Sequence, residues 1–164
     1  GTLSFSTTVK NQLTLALSTL KAAKELRFDL LKYQNDFFKS NLEDAKKDVN
    51  KAYIFGDQTG KSRVNALARL LQDHQIELYR PLKNISVNKK NFYPESSFII
   101  PLQQNQYALI KTLFEKRKTF RDSVFYDVSA WSLDLTYNVD FEILNSKNKL
   151  NYKMNRDINN IDNQ

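Results

Sequence analysis

The first third of the chain carries a single helical pattern of apolar residues. They recur at spacings of three and four residues: Val9, Leu13, Leu17, Leu20, Ala23, Leu26, Leu30, Tyr33 and Phe37. Such spacing places side chains on one face of an α-helix, and neither Gly nor Pro interrupts residues 8–48. We predict a helical lead-in over residues 1–50. It would be one long helix or two nearly collinear helices, on the order of 50 Å long at about 1.5 Å per residue. The alternative is a helical hairpin with its turn near "YQNDFFKSN".

A helix of that length has more apolar face than the rest of a small domain can cover. We therefore expect the excess face to pack on a partner or on a neighbouring domain.

The pattern changes after residue 50 to short apolar runs separated by a helix. "KAYIFGD" is typical of a buried strand, residues 62–73 have the spacing of an amphipathic helix, and "IELYRP" predicts a second strand that ends at Pro81. A strand, a helix and a strand over about 30 residues form a βαβ unit, in which the two strands are parallel with a right-handed crossover.

Downstream, "ISVNKKNFYPESSFIIP" predicts a β-arm that turns at residues 88–91 and returns into a buried strand at residues 97–100. "QQNQYALIKTLFEKR" then predicts another amphipathic helix. Residues 120–144 are rich in aromatic side chains but alternate poorly, which indicates an ordered loop with short helical turns. Residues 145–164 are polar and rich in Asn and Lys, which is typical of a linker or a frayed C-terminus.

These elements together predict the α/β class. The expected fold is a small three-layer domain over residues 51–144, with a short, mainly parallel sheet formed by the βαβ unit and the β-arm. The long N-terminal helix or helical hairpin precedes it.

Composition narrows the function classes. With 164 residues and 41% hydrophobic content, the chain is long enough for about one domain. It contains no apolar run long enough to span a membrane, no signal-peptide pattern and no cysteine. The net charge of +7 invites a nucleic-acid interpretation. However, the basic residues alternate with acids, as in "LEDAKKDVNK", so we predict a solvated surface and no specific nucleic-acid partner.

The stretch "YIFGDQTGKSR" resembles a phosphate-binding P-loop, because a strand runs into a Gly-Lys-Ser sequence and then into a helix. The first glycine of that motif would fall at Phe55, and starting from Gly56 the loop is one residue short. Asp57 would also repel a phosphate. We therefore interpret the stretch as a βα turn in which Thr59 or Ser62 caps the helix and the helix N-terminus has at most a weak preference for anions.

Catalytic constellations are incomplete. His74 and Glu77 have the H-x-x-E spacing of zinc ligands, but a hydrolytic zinc site needs three protein ligands, and His74 is the only histidine. We expect a surface histidine near a helix C-terminus. Nucleophilic triads lack a base for the same reason, so we predict no catalytic, cofactor-binding or metal-binding residue in this chain.

A ligand site remains an alternative. Open α/β sheets bind ligands at the carboxyl ends of parallel strands, where Gly56, Asp57, Gln58, Pro81 and Pro101 would lie. The positions that we expect to face a ligand are Gly56, Asp57, Gln58, Asp127 and Trp131. For Trp131, anchoring of its loop on the core is the competing interpretation.

Four phrases in one order carry a family resemblance: "LSFSTTVKNQLTLALSTL", "KAYIFGD", "SSFIIPLQQNQYALIKTLFEKR" and "DSVFYDVSAWSLDLTYNVDFE". Over residues 2–144 they resemble a segment that follows the catalytic domain of large secreted bacterial zinc carboxypeptidase-like proteins, relatives of carboxypeptidase A. The resemblance implies a longer parent that has a signal peptide, a zinc peptidase domain, this region and often a glutamine-amidotransferase-like domain after it.

The zinc ligands and the general-base glutamate of that family belong to the upstream domain, so none of them is placed on this chain. The resemblance therefore implies a non-catalytic accessory domain of a hydrolase, with zinc in the parent's peptidase domain and a secreted or periplasmic location. The implied partner is that neighbouring peptidase domain. The rival expectation is an independent α/β module that binds a small ligand or an anion.

Overall fold

A computed structural model of the chain describes residues 4–116 and 132–145. In chain order its elements are α1 (Phe5–Glu25), α2 (Arg27–Lys47), β1 (Asn50–Gly56), α3 (Lys61–Asp73), β2 (Ile85–Val87), β3 (Lys90–Phe92), β4 (Ser97–Pro101), α4 (Tyr107–Leu113), α5 (Leu133–Thr136) and β5 (Asp140–Asn145). The chain divides into two compact units, residues 1–40 and residues 41–164, so the last two turns of α2 belong to the second unit.

Helices α1 and α2 follow one another with only Leu26 between them. The Leu26 N–H donates to the Ala22 carbonyl at 2.8 Å, and the Leu30 N–H donates to the Leu26 carbonyl at 2.9 Å. Both are bonds of the i to i−4 pattern that defines an α-helix. The predicted helical lead-in is therefore confirmed as two consecutive helices. The turn proposed near "YQNDFFKSN" does not form, because those residues lie inside α2.

The sheet of the second unit has the order β4-β1-β5, and both outer strands run antiparallel to β1. Tyr53 in β1 lies opposite Ile100 on one side and Ile143 on the other. The mixed helix-and-sheet class is confirmed, but the prediction of a mainly parallel sheet is wrong.

The reason lies in the segment that follows α3. The Tyr79 N–H donates to the Ile99 carbonyl at 2.9 Å, and the Ile99 N–H donates to the Tyr79 carbonyl at 2.7 Å, in an antiparallel bridge to β4. Because Ile99 also lies opposite Ile54 of β1, β4 is inserted between β1 and the Tyr79 segment. The helix α3 does connect two segments of the same direction, but they are not neighbours.

The Tyr79 segment forms bridges without extending into a strand, and a side chain bonds its backbone two residues before Tyr79. Gln104 accepts the Glu77 N–H on its Oε1 at 2.7 Å and donates from its Nε2 to the Glu77 carbonyl at 3.2 Å. The buried amide thus replaces a strand partner at Glu77. For this reason "IELYRP", which was predicted as a strand, is not one in the structure.

Two further elements complete the sheet unit. The predicted β-arm is the hairpin β2–β3, whose turn residues Asn88 and Lys89 have φ values of 49° and 67°. The strand β5 lies in residues that were predicted as a loop. Its two buried side chains, Phe141 and Leu144, are three residues apart, and each packs in the core on a different face of the sheet. Buried and exposed residues therefore do not alternate along the β5 sequence, and the pattern typical of a half-buried strand is absent.

The core has a cluster on each face of the sheet. On the helix side, apolar side chains of β1 and β4 pack with Val64, Leu67 and Leu71 of α3 and with Ile110 of α4. On the other side, Ile54 and Ile99 pack against Phe92 of the hairpin. The layers are therefore helices, sheet and hairpin.

Candidate docking surface and candidate ligand sites

The turn between β1 and α3 is closed by its own aspartate. The Asp57 Oδ1 accepts the Thr59 N–H at 2.8 Å and the Thr59 hydroxyl at 2.9 Å, and its Oδ2 pairs with Arg63 of α3. The Thr59 N–H, followed by the Arg63 guanidinium, lowers the pKa of Asp57 from 3.8 to about 2. The carboxylate is therefore ionised at neutral pH.

This arrangement explains why the turn is not a phosphate cradle. The Asp57 carboxylate occupies the approach to the N-terminus of α3, where a bound phosphate would accept backbone N–H bonds. Arg63, which could otherwise bind an anion, already pairs with Asp57. The expected cap by Thr59 or Ser62 is absent too, because the N-cap residue is Gly60, which has no side chain to bond.

No ligand site at the carboxyl ends of parallel strands forms around Gly56, Asp57 and Gln58, because the sheet is antiparallel. Gly56 is the last residue of β1 and Asp57 follows it, whereas Pro101 lies opposite Ala52 near the other end of the strand. Gln58 is exposed. Gly56 itself is buried, and a Cβ at that position would collide with Ser97 and with the Ser96 carbonyl across the sheet. This glycine therefore serves the close approach of β1 and β4.

The other two expected positions, Asp127 and Trp131, lie outside the described residues, as do Phe120, Phe125 and Tyr126. His74 is the C-cap residue of α3 and is exposed, and its carbonyl accepts a bond from the Gln106 Nε2 at 3.1 Å. Within residues 4–116 and 132–145, no group of three His, Cys, Asp or Glu side chains could hold a metal ion. Among the helices described, none has the length and apolar character needed to cross a membrane.

A long row of uncovered apolar side chains lies on α1 and α2. We define the apolar stripe as nine positions on these helices, namely Val9, Leu13, Leu17, Leu20, Ala23, Leu26, Leu30, Tyr33 and Phe37. All nine are exposed, and the large side chains among them range from 42% exposed at Phe37 to 72% at Tyr33. Their mean spacing is close to about 3.5 residues, the period at which helices pack side by side over a long distance. Ordinary protein surfaces expose apolar residues singly and scattered, whereas here they form a continuous row.

The row continues into the part of α2 that is buried. Four and eight residues after Phe37 come Asn41 and Ala45, which are 6% and 1% exposed within the second unit. Asn41 donates from its Nδ2 to the Asn105 carbonyl at 3.3 Å. Within the second unit the end of α2 is therefore covered, whereas the stripe residues of the first unit are exposed.

A second candidate region is a cleft of about 620 Å³ between α4 and the edge of β5. Three lysines border it, namely Lys90, Lys111 and Lys116, together with Tyr53 and Phe141. No sequence motif indicates this region, because Tyr53, Lys90, the α4 segment and Phe141 are far apart in the chain.

A hydrogen-bonded network fixes one side of that cleft. The Asp48 Oδ2 accepts the Tyr107 hydroxyl at 2.8 Å and the Lys111 ammonium at 2.9 Å, and its Oδ1 accepts the Asn50 N–H at 2.9 Å. Burial opposes both charges of the pair. Burial is the largest single influence on each group, but at Asp48 the hydrogen bonds from Lys111, Asn50 and Tyr107 together outweigh it and lower the pKa. At Lys111 the hydrogen bond to Asp48 and the neighbouring charges together outweigh burial and raise the pKa. Both groups are charged at neutral pH.

Compared with protein-family models, with curated proteins and with solved structures, the chain gives no match.

Proposed function

We propose that this chain is a non-catalytic accessory domain that docks its apolar stripe onto a neighbouring folded domain of the same polypeptide. The observation that carries the proposal is the exposure of the stripe over most of α1 and α2. Removing apolar surface from water contributes roughly 25 cal/mol per Å², so covering eight large side chains provides a strong driving force.

The occupant is a linked domain because of how the stripe is anchored. The end of α2 is already part of the folded second unit, through Asn41 and Ala45. A neighbour on the same chain meets the stripe at a high effective concentration, so docking needs little intrinsic affinity. The resemblance to zinc carboxypeptidase-like proteins supports a peptidase domain as that neighbour. In this proposal zinc and catalysis reside in the neighbour, and the whole protein is a secreted or periplasmic hydrolase.

The test uses the full polypeptide with its neighbouring domain. Leu17→Lys combined with Leu20→Lys places two charges on the stripe, and Asn11→Lys combined with Ser18→Lys places the same charges on the opposite face of α1. Limited proteolysis followed by mass spectrometry reports cleavage within residues 5–25. We expect the leucine variant to be cut at least about tenfold faster than the native protein, because an undocked helix opens freely.

The variant with Asn11 and Ser18 replaced should be cut at the native rate. If α1 of the native full polypeptide is cut as fast as α1 of the chain alone, the stripe is uncovered in both and the docking proposal is wrong.

A further inference from the structure

The cleft beside α4 has the size and the lining of a small-molecule site. Its volume of about 620 Å³ lies within the range of roughly 300–1,000 Å³ that is usual for ligand pockets. The residues that border it come from β1, β3, α4 and β5, so four separate elements fix its shape. All of them belong to the second unit, so this inference is independent of the docking of the stripe.

The cleft presents ammonium groups that can donate hydrogen bonds to an anion. One of them, Lys90, is already occupied: it pairs with Glu142 at 3.2 Å and with Asp140 at 3.5 Å, and it donates to the Phe141 carbonyl at 3.1 Å. The remaining ammonium groups, Lys111 and Lys116, lie at the end of α4 and just beyond it.

Each of those two ammonium groups is held in place by a carboxylate behind it. Lys111 pairs with Asp48 at 2.9 Å, and Lys116 pairs with Asp134 at 2.7 Å. The side chains of Asp48 and Asp134 are only 12% and 3% exposed. An ammonium has three N–H donors, so a carboxylate that accepts one of them fixes the group and still leaves donors for a ligand. Groups fixed in this way bind with less loss of side-chain entropy than freely moving surface lysines do.

The floor of the cleft is aromatic. Phe114 and Phe141 stack with their ring centroids 5.0 Å apart and their planes 7° from parallel, and Tyr53 meets each of them edge-on. These rings are almost entirely buried, so they form a rigid apolar base, and the half-exposed Ile143 adds an apolar wall. An inorganic anion would leave this base without a contact.

The geometry points to a binding site for a small carboxylic acid with an apolar body. The carboxylate accepts hydrogen bonds from Lys111 and Lys116, and the apolar body lies on Phe114, Phe141 and Ile143. Charge-assisted bonds to fixed ammonium groups select the ionised acid over its amide.

Titration of the ¹⁵N-labelled chain with benzoate, followed by NMR, tests the site. We expect saturable shifts at the amides of residues 111–116 and 141–143. Benzamide, which has the same shape and no charge, should bind at least about tenfold more weakly. Lys111→Met should weaken benzoate binding by about tenfold or more, and Lys111→Arg should restore part of it.

Lys83→Met removes the same charge from an exposed loop position outside the cleft and should leave benzoate binding unchanged. If Lys111→Met disturbs the fold, Lys111→Gln is the second variant, because its amide removes the charge and can still donate to Asp48, and it should also weaken benzoate binding. Equal binding of benzoate and benzamide, shifts located on α1 and α2, or no saturable shift at all would each overturn the assignment.

Discussion

The two compact units use the same kind of residue in opposite ways. Leu67 on α3 is fully buried, whereas Leu17 on α1 is 58% exposed. Both residues belong to helices with apolar side chains spaced by three and four. The α3 face is covered by β1 and β4, while none of the α1 residues is buried.

This difference separates the formation of a helix from its stabilisation. Spacing and helix propensity favour a helix in both places, but most helical stability in proteins comes from packing of the apolar face. Helix α3 has that packing within the chain. Helix α1 has no buried residue, so it would gain such packing only if another domain or a second copy covered the stripe. The stability of α1 therefore measures whether the stripe is covered.

Hydrogen exchange of the chain alone should show the largest contrast. Amides of β1, such as that of Ile54, should exchange only through global unfolding, at a cost of about 5–15 kcal/mol. Amides of α1, such as that of Leu17, should exchange after local opening at a cost of about 0–2 kcal/mol. Mass spectrometry of proteolytic fragments measures both.

Equal protection of α1 and β1 in the chain alone would contradict the contrast. It would mean that the stripe is covered without a neighbouring domain, and a dependence of the protection on protein concentration would identify a second copy as the cover.

A matched pair of leucine truncations gives the next largest effect. Leu67→Ala leaves a cavity between α3 and the sheet and should lower the free energy of unfolding by about 2–5 kcal/mol. Leu17→Ala removes an exposed side chain and should change it by less than about 0.5 kcal/mol. Urea titration of both variants measures the difference. A loss at Leu17 as large as that at Leu67 would show that the stripe is buried in solution.

The fold could be predicted from sequence wherever one residue pattern decides the structure. The spacing around Leu67 defined α3, and the run that contains Ile54 defined β1. Pairing between strands could not be predicted, because local patterns do not encode which edge a strand joins. The "IELYRP" segment has the direction of a βαβ strand, yet β4 takes the place beside β1.

The candidate sites show the same limit. The exposure of the stripe was expected from the sequence, because the two helices carry more apolar face than a small domain can cover. The cleft was not, because Lys90, Lys111 and Lys116 meet only after β3, α4 and β5 are assembled. For Asp57, the sequence predicted that its charge would disfavour a bound phosphate. It did not predict that its carboxylate accepts the Thr59 N–H and so closes the turn.

A smaller effect than that of Leu67→Ala concerns Asp57 and its dependence on pH. The carboxyl titrates at about 3.9 in an unfolded chain and at about 2 in the folded protein, so between these values the unfolded chain binds more protons. The stability due to Asp57 is therefore fully present above about pH 4 and is lost as the pH falls through about 2. Asp57→Asn should lower the free energy of unfolding by about 0.5–1 kcal/mol at neutral pH. Thermal unfolding of both proteins across this pH range should show the gap close on acidification.

Asp36 on α2 is an exposed carboxylate with which Asp57 can be compared. Asp36 pairs with Lys32 one turn earlier on α2, and that hydrogen bond lowers its pKa. Solvent surrounds this pair and weakens it, so Asp36→Asn should lower the free energy of unfolding by less than Asp57→Asn does, and added salt should reduce the effect further.

If the effect of Asp57→Asn on stability is independent of pH, the turn is held by contacts other than its carboxylate. If Asp36→Asn gives the larger gap, the exposed helix contributes more to the unfolding transition than the buried sheet unit, and the contrast between the two units is wrong.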